Sequence, residues 1–315
     1  MQVSVVVPAR NAACTLSRTL SSLSAQLDPP DFEVVVVDDG STDDTASIAS
    51  RAGARVVSAS GVGSGAARNL GVAACAGELL AFTDADCFPE PGWLAAGVAA
   101  LRSADLVAGQ VRPDPSALLG PFDRTVWVER ETGLYETANL FVRRSWFERV
   151  GGFEPWLRDA SGSGWTNAEL GEDVWLGWRL RRAGARSAFE PSALVFHAVH
   201  RRGPGGYVSE RRRARNFPAI AARVPELRSQ FFYRRVFLSP RSAAFDLALS
   251  GAALAVLGRS RLPLALAVPY GRHLMRRARP YRKRGPLVAA VDVAADATSL
   301  VSLAAGSARS RSLVI

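Results

Sequence analysis

Four consecutive valines at 34–37 constrain the fold of this chain more than any other feature. An uninterrupted β-branched run is typical of a strand with both faces buried, as in a parallel sheet that helices cover on each side. Similar apolar runs occupy 3–7, 55–58 and 79–83, and segments with apolar residues at helical spacing separate them. This alternation predicts a Rossmann-like α/β domain with a mostly parallel sheet and helices on both faces.

Acidic pairs directly follow two of these predicted strands. Asp38 and Asp39 come after the valine run, and Asp84 and Asp86 come after 79–83. Ligands of parallel sheets bind at the carboxyl ends of the strands, so we expect both pairs in one binding site. Two carboxylates one residue apart can bind a hard divalent cation such as Mg²⁺ or Mn²⁺. Each pair is also a common turn sequence, and that interpretation stays open.

Charged residues at two predicted helix starts are further candidates. Arg68 lies in the helix that follows a glycine-rich segment at 61–65. A helix N-terminus and an arginine together can bind phosphate, although an isolated arginine on a helix is more often a surface residue. Glu172 and Asp173 begin another predicted helix. Carboxylates stabilise a helix N-terminus, so helix capping explains this pair as completely as a catalytic base does.

Two histidines lie near the end of a strand predicted at 192–197. His197 ends that strand and is a candidate metal ligand, although a single histidine is more often structural. His200 follows three residues later, and on a strand this spacing places it on the opposite face. The sequence therefore predicts that His197 alone joins the metal site.

Taken in order, these segments resemble the inverting glycosyltransferases of family 2, which have the GT-A fold. The resemblance covers roughly residues 2–200 and depends on the ordered set, because each piece alone is weak. The pieces are VSVVVPARN, VVDDGSTDDT, GAARNLGVAACAGELLAFTDADC, NLFVRR with VGGFEP, GEDVWLGWRLRRAG and PSALVFH.

The resemblance implies a role for each candidate residue. Asp173 is the implied catalytic base, with Glu172 beside it, and the implied metal ligands are Asp84, Asp86 and His197. The implied contacts of the nucleotide-sugar donor are Pro8, Arg10, Asp38, Asp39, Arg68 and Asp84. The implied reaction is a single displacement with inversion, in which the base deprotonates an acceptor hydroxyl. A divalent cation, Mn²⁺ or Mg²⁺, stabilises the leaving diphosphate.

The substrates stay open at this level. UDP-, GDP- and dTDP-sugars are all candidate donors, and the acceptor is unknown, with lipid-linked compounds and polysaccharides both in range. Processive members of the family carry a Q-x-x-R-W motif after the base, whereas this chain has RRRARNFPAI at 211–220. The difference predicts the transfer of one sugar rather than polymer synthesis.

Charge divides the chain into two parts. Residues 1–200 carry a net charge of −7 and residues 201–284 carry +17, whereas the whole chain carries +10. We predict a GT-A catalytic domain at 1–205 and a basic, amphipathic helical region at 206–315. The basic region either contacts an anionic membrane surface or packs as a helical cap, and the family resemblance favours the membrane.

The apolar stretches of the C-terminal region bear on the membrane question. Those at 245–257 and 262–269 are too short to span a bilayer, and the one at 287–305 contains Asp292 and Asp296, four residues apart. We therefore expect interfacial helices. The three cysteines are expected to be free thiols, and the N-terminal sequence does not resemble a signal peptide. These features predict a cytoplasmic protein, peripheral on the cytoplasmic face of the cell membrane.

Two alternative functions remain. The sequence from Gly61 to Ala66 fits G-x-G-x-x-A, a dinucleotide-binding pattern of oxidoreductases, but it follows the third predicted strand instead of the first. The basic segment fits a non-catalytic adaptor that binds membrane or nucleic acid, which would leave the acidic N-terminal part unexplained. As a glycosyltransferase, the chain is not expected to bind nucleic acid.

Four tryptophans and a Gly- and Ser-rich segment between 120 and 170 are further candidates for contact with the substrates. Trp127, Trp146, Trp156 and Trp165 can stack on a sugar or belong to the core. The Gly- and Ser-rich segment 159–168 is a candidate lid over the donor.

Overall fold

The computed structural model describes residues 2–154 and 171–315. The chain forms two compact units. The first unit comprises Met1–Leu118 with Thr125–His200, and the second unit comprises Leu119–Arg124 with Arg201–Ile315. The first unit thus ends shortly before the predicted boundary at 205, and a short segment from the middle of the sequence belongs with the C-terminal part. The assignment of separate roles to the two parts stays a prediction.

Strands and helices alternate through the first unit, as the sequence predicts. The strands are β1 (Val3–Ala9), β2 (Phe32–Asp39), β3 (Arg55–Ala59), β4 (Leu79–Thr83), β5 (Cys87–Pro89), β6 (Leu106–Pro113), β7 (Asn139–Arg143) and β8 (Ser187–His197). The helices are α1 (Leu16–Ser24), α2 (Thr45–Arg51), α3 (Ser64–Ala74), α4 (Trp93–Ala100), α5 (Arg144–Arg149) and α6 (Glu172–Arg182).

The eight strands form one sheet in the order β3-β2-β1-β4-β7-β6-β8-β5. The first four strands in this order are parallel to one another. β7 is antiparallel to both β4 and β6, β8 is parallel to β6, and β5 is antiparallel to β8. The α/β prediction is confirmed. The half of the sheet that carries both predicted acidic pairs is the parallel half.

Alternate residues of β1 pack against helices on opposite faces of the sheet. Val5 and Val7 share one buried cluster with Leu16 of α1. Val6 faces the other way, against α3, where a Cβ added to Gly71 would lie 2.5 Å from the Val6 Cγ1 atom. The absence of a side chain at residue 71 therefore allows α3 to approach the sheet closely.

A loop follows β2, and α2 begins at Thr45. Ser41 and Thr42 in this loop bond Asn11: the Asn11 N–H donates to Ser41 Oγ at 2.9 Å, and the Thr42 N–H donates to Asn11 Oδ1 at 2.8 Å. Side chains thus connect two loops at the same edge of the sheet. β8 begins at Ser187, earlier than the predicted 192.

The second unit is helical. Its α-helices are α7 (Pro204–Glu210), α8 (Phe217–Arg223), α9 (Leu227–Gln230), α10 (Pro240–Leu257), α11 (Val268–Ala278) and α12 (Gly285–Ser310). Three 3₁₀ segments join them at Arg211–Asn216, Leu262–Ala267 and Arg279–Arg284.

Two buried carboxylates on α12 organise this unit. Asp292 is fully buried and accepts from Arg241 Nη2 at 2.9 Å and from Arg277 Nε at 2.8 Å. Asp296 accepts from Arg241 Nε at 2.9 Å and from the Tyr270 hydroxyl at 2.7 Å. Because Arg241 contacts both carboxylates, they share one face of α12 and lie inside the helical unit.

Among the described residues, one helical stretch, Leu262–Ser310, is long and apolar enough to cross a membrane by length and composition. A third of its most apolar window is buried, and α12 within it carries the two carboxylates already bonded to arginines. Core helices of soluble proteins meet the same criterion, so the stretch is weak support for a membrane span.

Candidate active site

The two loops at the carboxyl ends of β1 and β2 carry the predicted nucleotide contacts. The Asp39 side chain is buried, and its two oxygens accept the N–H groups of Val62 at 2.7 Å and Gly63 at 2.8 Å. Asp38 is half-buried and accepts the Ser41 N–H at 3.2 Å. Asp39 therefore holds the glycine-rich loop, and of the pair Asp38 is the more accessible to a ligand.

The other two predicted nucleotide contacts lie at the same edge. Pro8 is half-buried near the end of β1 and pairs in register with Val37. Arg10 is exposed, with its Nη1 atom next to Gly61 of the glycine-rich loop. Arg10 thus borders the loop that Asp39 holds, and contact of either residue with a donor stays a prediction.

Arg68 connects two of the predicted acidic groups. It is buried, so the interpretation as a surface arginine is wrong. Its Nη2 donates to Asp84 Oδ1 at 2.7 Å, and its Nη1 donates to Glu172 Oε1 at 3.2 Å. The Ser64 hydroxyl, in the first turn of α3, donates to the same Glu172 oxygen. One guanidinium thus joins the loop after β4 to the start of α6.

Asp173 lies next to this ion pair in the first turn of α6. Burial and the nearby charges of Glu172 and Glu136 raise the pKa of Asp173 to about 8. The Val174 N–H, at 2.8 Å, and the charge of Arg68 act in the opposite direction. Capping alone does not explain the pair, because Glu172 bonds side chains of α3 and because the environment disfavours the charge on Asp173.

Glu136 was not singled out from the sequence. It is half-buried, and burial raises the pKa of its carboxyl group. It lies in an irregular segment before β7, without a motif around it, so the sequence offered no signal for its proximity to Asp173.

Asp86, the second acid of the D-x-D pair, lies between two histidines. Its Oδ2 is 2.7 Å from His200 Nε2 and 3.6 Å from His197 Nε2. Burial would raise the pKa of Asp86, but the hydrogen bond with His200 and the charges of both histidines outweigh it and hold that pKa below its usual range.

The placement of His200 corrects the sequence-based expectation. The strand-alternation argument put it on the face opposite His197, yet both rings reach Asp86, with their centroids 5.8 Å apart. β8 ends at His197, so the two-residue period of a strand does not extend to residue 200. Proximity of two histidines in sequence was the available signal.

The orientation of His197 bears on metal binding. Its Nδ1 lies 2.7 Å from the Ala198 carbonyl oxygen, which can only accept, so this nitrogen carries the proton. In the neutral ring the Nε2 lone pair then faces Asp86 Oδ2. Two acceptors face each other, and a cation between them would satisfy both. The carboxylate suits either Mn²⁺ or Mg²⁺, the ions expected from the sequence, and the imidazole favours the transition metal Mn²⁺ of the two.

Cys87 is a third potential donor near Asp86 and His197. Burial, together with the charges of Asp84 and Asp86, raises the pKa of its thiol well above the usual range. A protonated thiol is a poor ligand for a hard cation, so Cys87 belongs to the core around the site and not to the donor set.

Several expectations concern aromatic residues and the lid. Trp156, Trp165 and the candidate lid 159–168 lie outside the described residues. Trp127 is 58 % exposed, whereas Trp146 is half-buried with the Arg149 guanidinium 4.6 Å from its ring centroid. Of these two, only Trp127 presents a large free aromatic surface.

Sequence comparison identifies the family. Residues 4–160 match the model described as "Glycosyl transferase family 2". The chain belongs to this family. The match spans both acidic pairs and Arg68, and it ends before α6. The dinucleotide-binding oxidoreductase is therefore the wrong interpretation of the 61–66 segment.

Relatives of this family 2 chain are found in bacteria and archaea. The "Pre-mycofactocin glycosyltransferase" of Mycobacterium tuberculosis is 33 % identical over 218 residues, which are 62 % of this chain and 42 % of the relative. "Glycosyltransferase AglE" of Haloferax volcanii is 33 % identical over 181 residues, 52 % of this chain and 60 % of the relative. The chain spans about half the length of these curated relatives.

A solved structure supports the fold assignment over nearly the whole family 2 chain. The "Mannosyltransferase PcManGT from Pyrobaculum calidifontis in complex with GDP-Man and Mn2+" has a TM-score of 0.65 at 24 % identity and covers 95 % of this chain and 87 % of that one. The GT-A fold expected from the sequence is confirmed. At this identity the likeness concerns the fold.

Proposed function

We propose that this chain transfers one sugar from a nucleotide-diphosphate donor to an acceptor hydroxyl, with inversion at the anomeric carbon. Family membership supports the reaction class. The observation that carries the proposal is the series of contacts from Asp84 through Arg68 to Glu172, with Asp173 beside it. These contacts connect the loop after β4, where the donor diphosphate would bind, with the start of α6, which carries the proposed base.

The donor end of the proposed site consists of Asp84, Asp86, His197 and Arg68. When a Mn²⁺ or Mg²⁺ ion is bound there, it supplies positive charge for the departing diphosphate. Asp86 and His197 would hold the ion, and His200 is a further donor that the geometry adds to the predicted set. Arg68 positions Asp84 and contributes a second positive charge.

The acceptor end consists of Asp173. In the proposed step its carboxylate takes the proton of the acceptor hydroxyl, whose oxygen bonds the anomeric carbon as the bond to the diphosphate breaks. A base with a pKa of about 8 is well matched to this task, but it is largely protonated at pH 7. We therefore expect the rate to rise with pH between about 7 and 9.

The first experiment tests donor binding. We expect a UDP-, GDP- or dTDP-sugar to raise the melting temperature of the protein only when Mn²⁺ is present. Asp86→Asn should remove this shift, because it removes a negative charge that the cation needs. Asp28→Asn is the matched control, since Asp28 is exposed and precedes β2, at the opposite end of the sheet. A metal-dependent shift that persists in Asp86→Asn would contradict the proposed ligand.

The second experiment tests the base. Release of nucleotide diphosphate from the donor to water provides a rate without an identified acceptor. Asp173→Asn should keep donor binding and lose about 10²- to 10⁴-fold in this rate, the usual contribution of a general base. Retained turnover would remove Asp173 from this role.

Further parts of the proposal concern substrates and location. Transfer of a single sugar is proposed because the processive motif is missing after the base. An acceptor carried on a lipid or a polysaccharide, and a cytoplasmic location at the membrane surface, are proposed from the basic, apolar character of 206–315. The analysis of reaction products with a lipid-linked and a soluble acceptor would distinguish the two acceptor classes.

A further inference from the structure

The second unit contains a hairpin that exposes its apolar side chains. It consists of the later part of α10, a turn and the following 3₁₀ segment, and we call residues 247–268 the apolar hairpin. Of the residues in it, only Gly251 is buried. Its exposed large apolar residues, each between 40 and 85 % exposed, are Leu247, Leu249, Leu254, Val256, Leu257, Leu262, Leu264 and Val268.

Close packing of the two limbs turns these side chains outward. A Cβ at Gly251 would lie 2.5 Å from the Pro263 carbonyl oxygen, so the two backbones meet at a position without a side chain. The leucines and valines consequently do not form a core between the limbs. A helix that is apolar on all sides belongs either inside a protein or in contact with lipid.

The exposed charged residues of the apolar hairpin and of the sequence after it are cations. Arg259 and Arg261 in its turn are exposed, and they are its only charged residues. Asp246, which directly precedes the hairpin, is half-buried, and the sequence from 247 to 291 contains no aspartate or glutamate. The exposed cations beyond the hairpin are Arg272, Arg276, Arg279, Arg282, Lys283 and Arg284. An apolar surface with exposed cations in its turn and after it is complementary to an anionic lipid headgroup layer.

Length decides how such a surface can meet a bilayer. The uncharged run from Leu247 to Gly258 is about 18 Å long as a helix, against about 30 Å of hydrocarbon. It cannot cross. If the hairpin lies in the interface, the Arg259 and Arg261 stems can extend to the phosphates while the leucines enter the acyl region.

We propose that the apolar hairpin inserts into one leaflet of an anionic membrane and so attaches the protein to it. This gives the proposed membrane contact a specific surface, and it rests on exposure and charge in the second unit rather than on catalysis. A second copy of this chain is the competing occupant. Lipid is favoured because apolar residues are exposed on both limbs and because the exposed charges in the turn and after the hairpin are cations.

The test uses the full chain and sedimentation with vesicles, without donor or acceptor. We expect binding to vesicles of phosphatidylcholine with phosphatidylglycerol, and weaker binding to phosphatidylcholine alone. The double variant Leu257→Ser, Leu262→Ser should lose at least about tenfold in partitioning, because both side chains are more than 80 % exposed and would be buried in lipid. Leu118→Ser, 84 % exposed in the first unit, should bind as the unmodified protein does.

Charge is tested separately with Arg259→Gln, Arg261→Gln. This variant should lose about fivefold or more on anionic vesicles and little on neutral ones. Circular dichroism should show unchanged folding in every variant, since the altered residues are exposed.

Two outcomes would overturn the proposal. One is equal vesicle binding by the leucine double variant and the unmodified protein. The other is a dimer in solution, measured by light scattering, that becomes a monomer in the leucine double variant without a change in vesicle binding. Because sugar transfer is not measured, failure of the proposed reaction would leave these results unaffected.

Discussion

Buried carboxylates occur in both units, but their charge is compensated differently. In the second unit Asp292 and Asp296 bond two arginines, Arg241 and Arg277, and tyrosine hydroxyls. In the first unit Arg68, among the residues that the structure describes, bridges Asp84 and Glu172. Asp173 next to them has a pKa of about 8 because burial and neighbouring negative charges outweigh the attraction of Arg68.

The difference distinguishes a cluster that stabilises the fold from a cluster that can bind a proton or a cation. Where two arginines and two tyrosine hydroxyls contact two carboxylates, the cluster holds helices together. Where negative charge exceeds what one arginine compensates, the group takes up a proton or attracts a cation. Four substitutions test this comparison.

The largest effect is expected in the structural cluster. Asp292→Ala would leave Arg241 and Arg277 without their shared, fully buried partner. Breaking a buried ion pair from one side usually costs about 3–5 kcal/mol. Urea unfolding, with hydrogen exchange at α12 to locate the change, measures this loss. A cost below about 1 kcal/mol would mean that the cluster contributes little to stability.

The next effect depends on pH and concerns Asp173. Its pKa is near 4 in the unfolded chain and about 8 in the folded one, so the folded state binds the proton more tightly. Stability should therefore fall as pH rises from about 4 to 8, by at most about 1.4 kcal/mol per pH unit. Asp173→Asn should flatten this part of the curve and be the more stable protein at pH 8. Parallel curves for both proteins would contradict the raised pKa.

A smaller loss of stability is expected from Arg68→Met. The substitution removes the contacts of the guanidinium with Asp84 and Glu172, but Asp84 can regain water and Glu172 keeps its bond from Ser64. We expect a cost of about 1–2 kcal/mol at pH 7 and a further rise in the pKa of Asp173. Thermal unfolding and the pH profile of donor hydrolysis measure the two effects. An unchanged profile would exclude electrostatic coupling between Arg68 and Asp173.

The smallest effect is expected for an exposed ion pair, which serves as the reference for the buried charges. Arg144 and Glu148 form an i,i+4 pair on α5, in which the Glu148 side chain is 60 % exposed. Glu148→Gln should cost about 0.3–0.5 kcal/mol, because water screens such pairs. Chemical denaturation measures the free energy of unfolding and sets an upper limit on a change this small. A loss as large as that of Asp292→Ala would invalidate the distinction between exposed and buried charge.

The sequence predicted the parallel half of the sheet because its signals are local. The valine run, the spacing of apolar residues and the acids after β2 and β4 each act within a few residues. The burial of Arg68 was missed, since it depends on Glu172, more than a hundred positions away. The bonds between Arg241 and Asp292 were missed for the same reason, although two acids in an apolar helix did mark a face that needed partners.

The sequence predicted the positions of some candidate site residues and not of others, for physical reasons. The structure brings the candidate residues together at one edge of the sheet, as the ordered motifs indicate. One group contains Asp84, Arg68, Glu172 and Asp173, and the other contains Asp86 and His197. His200 was misplaced because strand geometry was extended past the end of β8. The donor contact of Asp39 stays a prediction, and the sequence did not reveal that its oxygens also bond the glycine-rich loop.

Gly71 determines where α3 places Arg68, the residue that bonds Asp84 and Glu172. Arg68 and Gly71 are one turn apart on α3, and both are buried. Because residue 71 lacks a side chain, the helix rests directly on Val6 and Val37, and this seating fixes how far the guanidinium reaches toward Asp84. The distance between one helix and the sheet thus controls the charge around Asp84 and Glu172. A single methyl group at residue 71, which contacts neither carboxylate, would alter it.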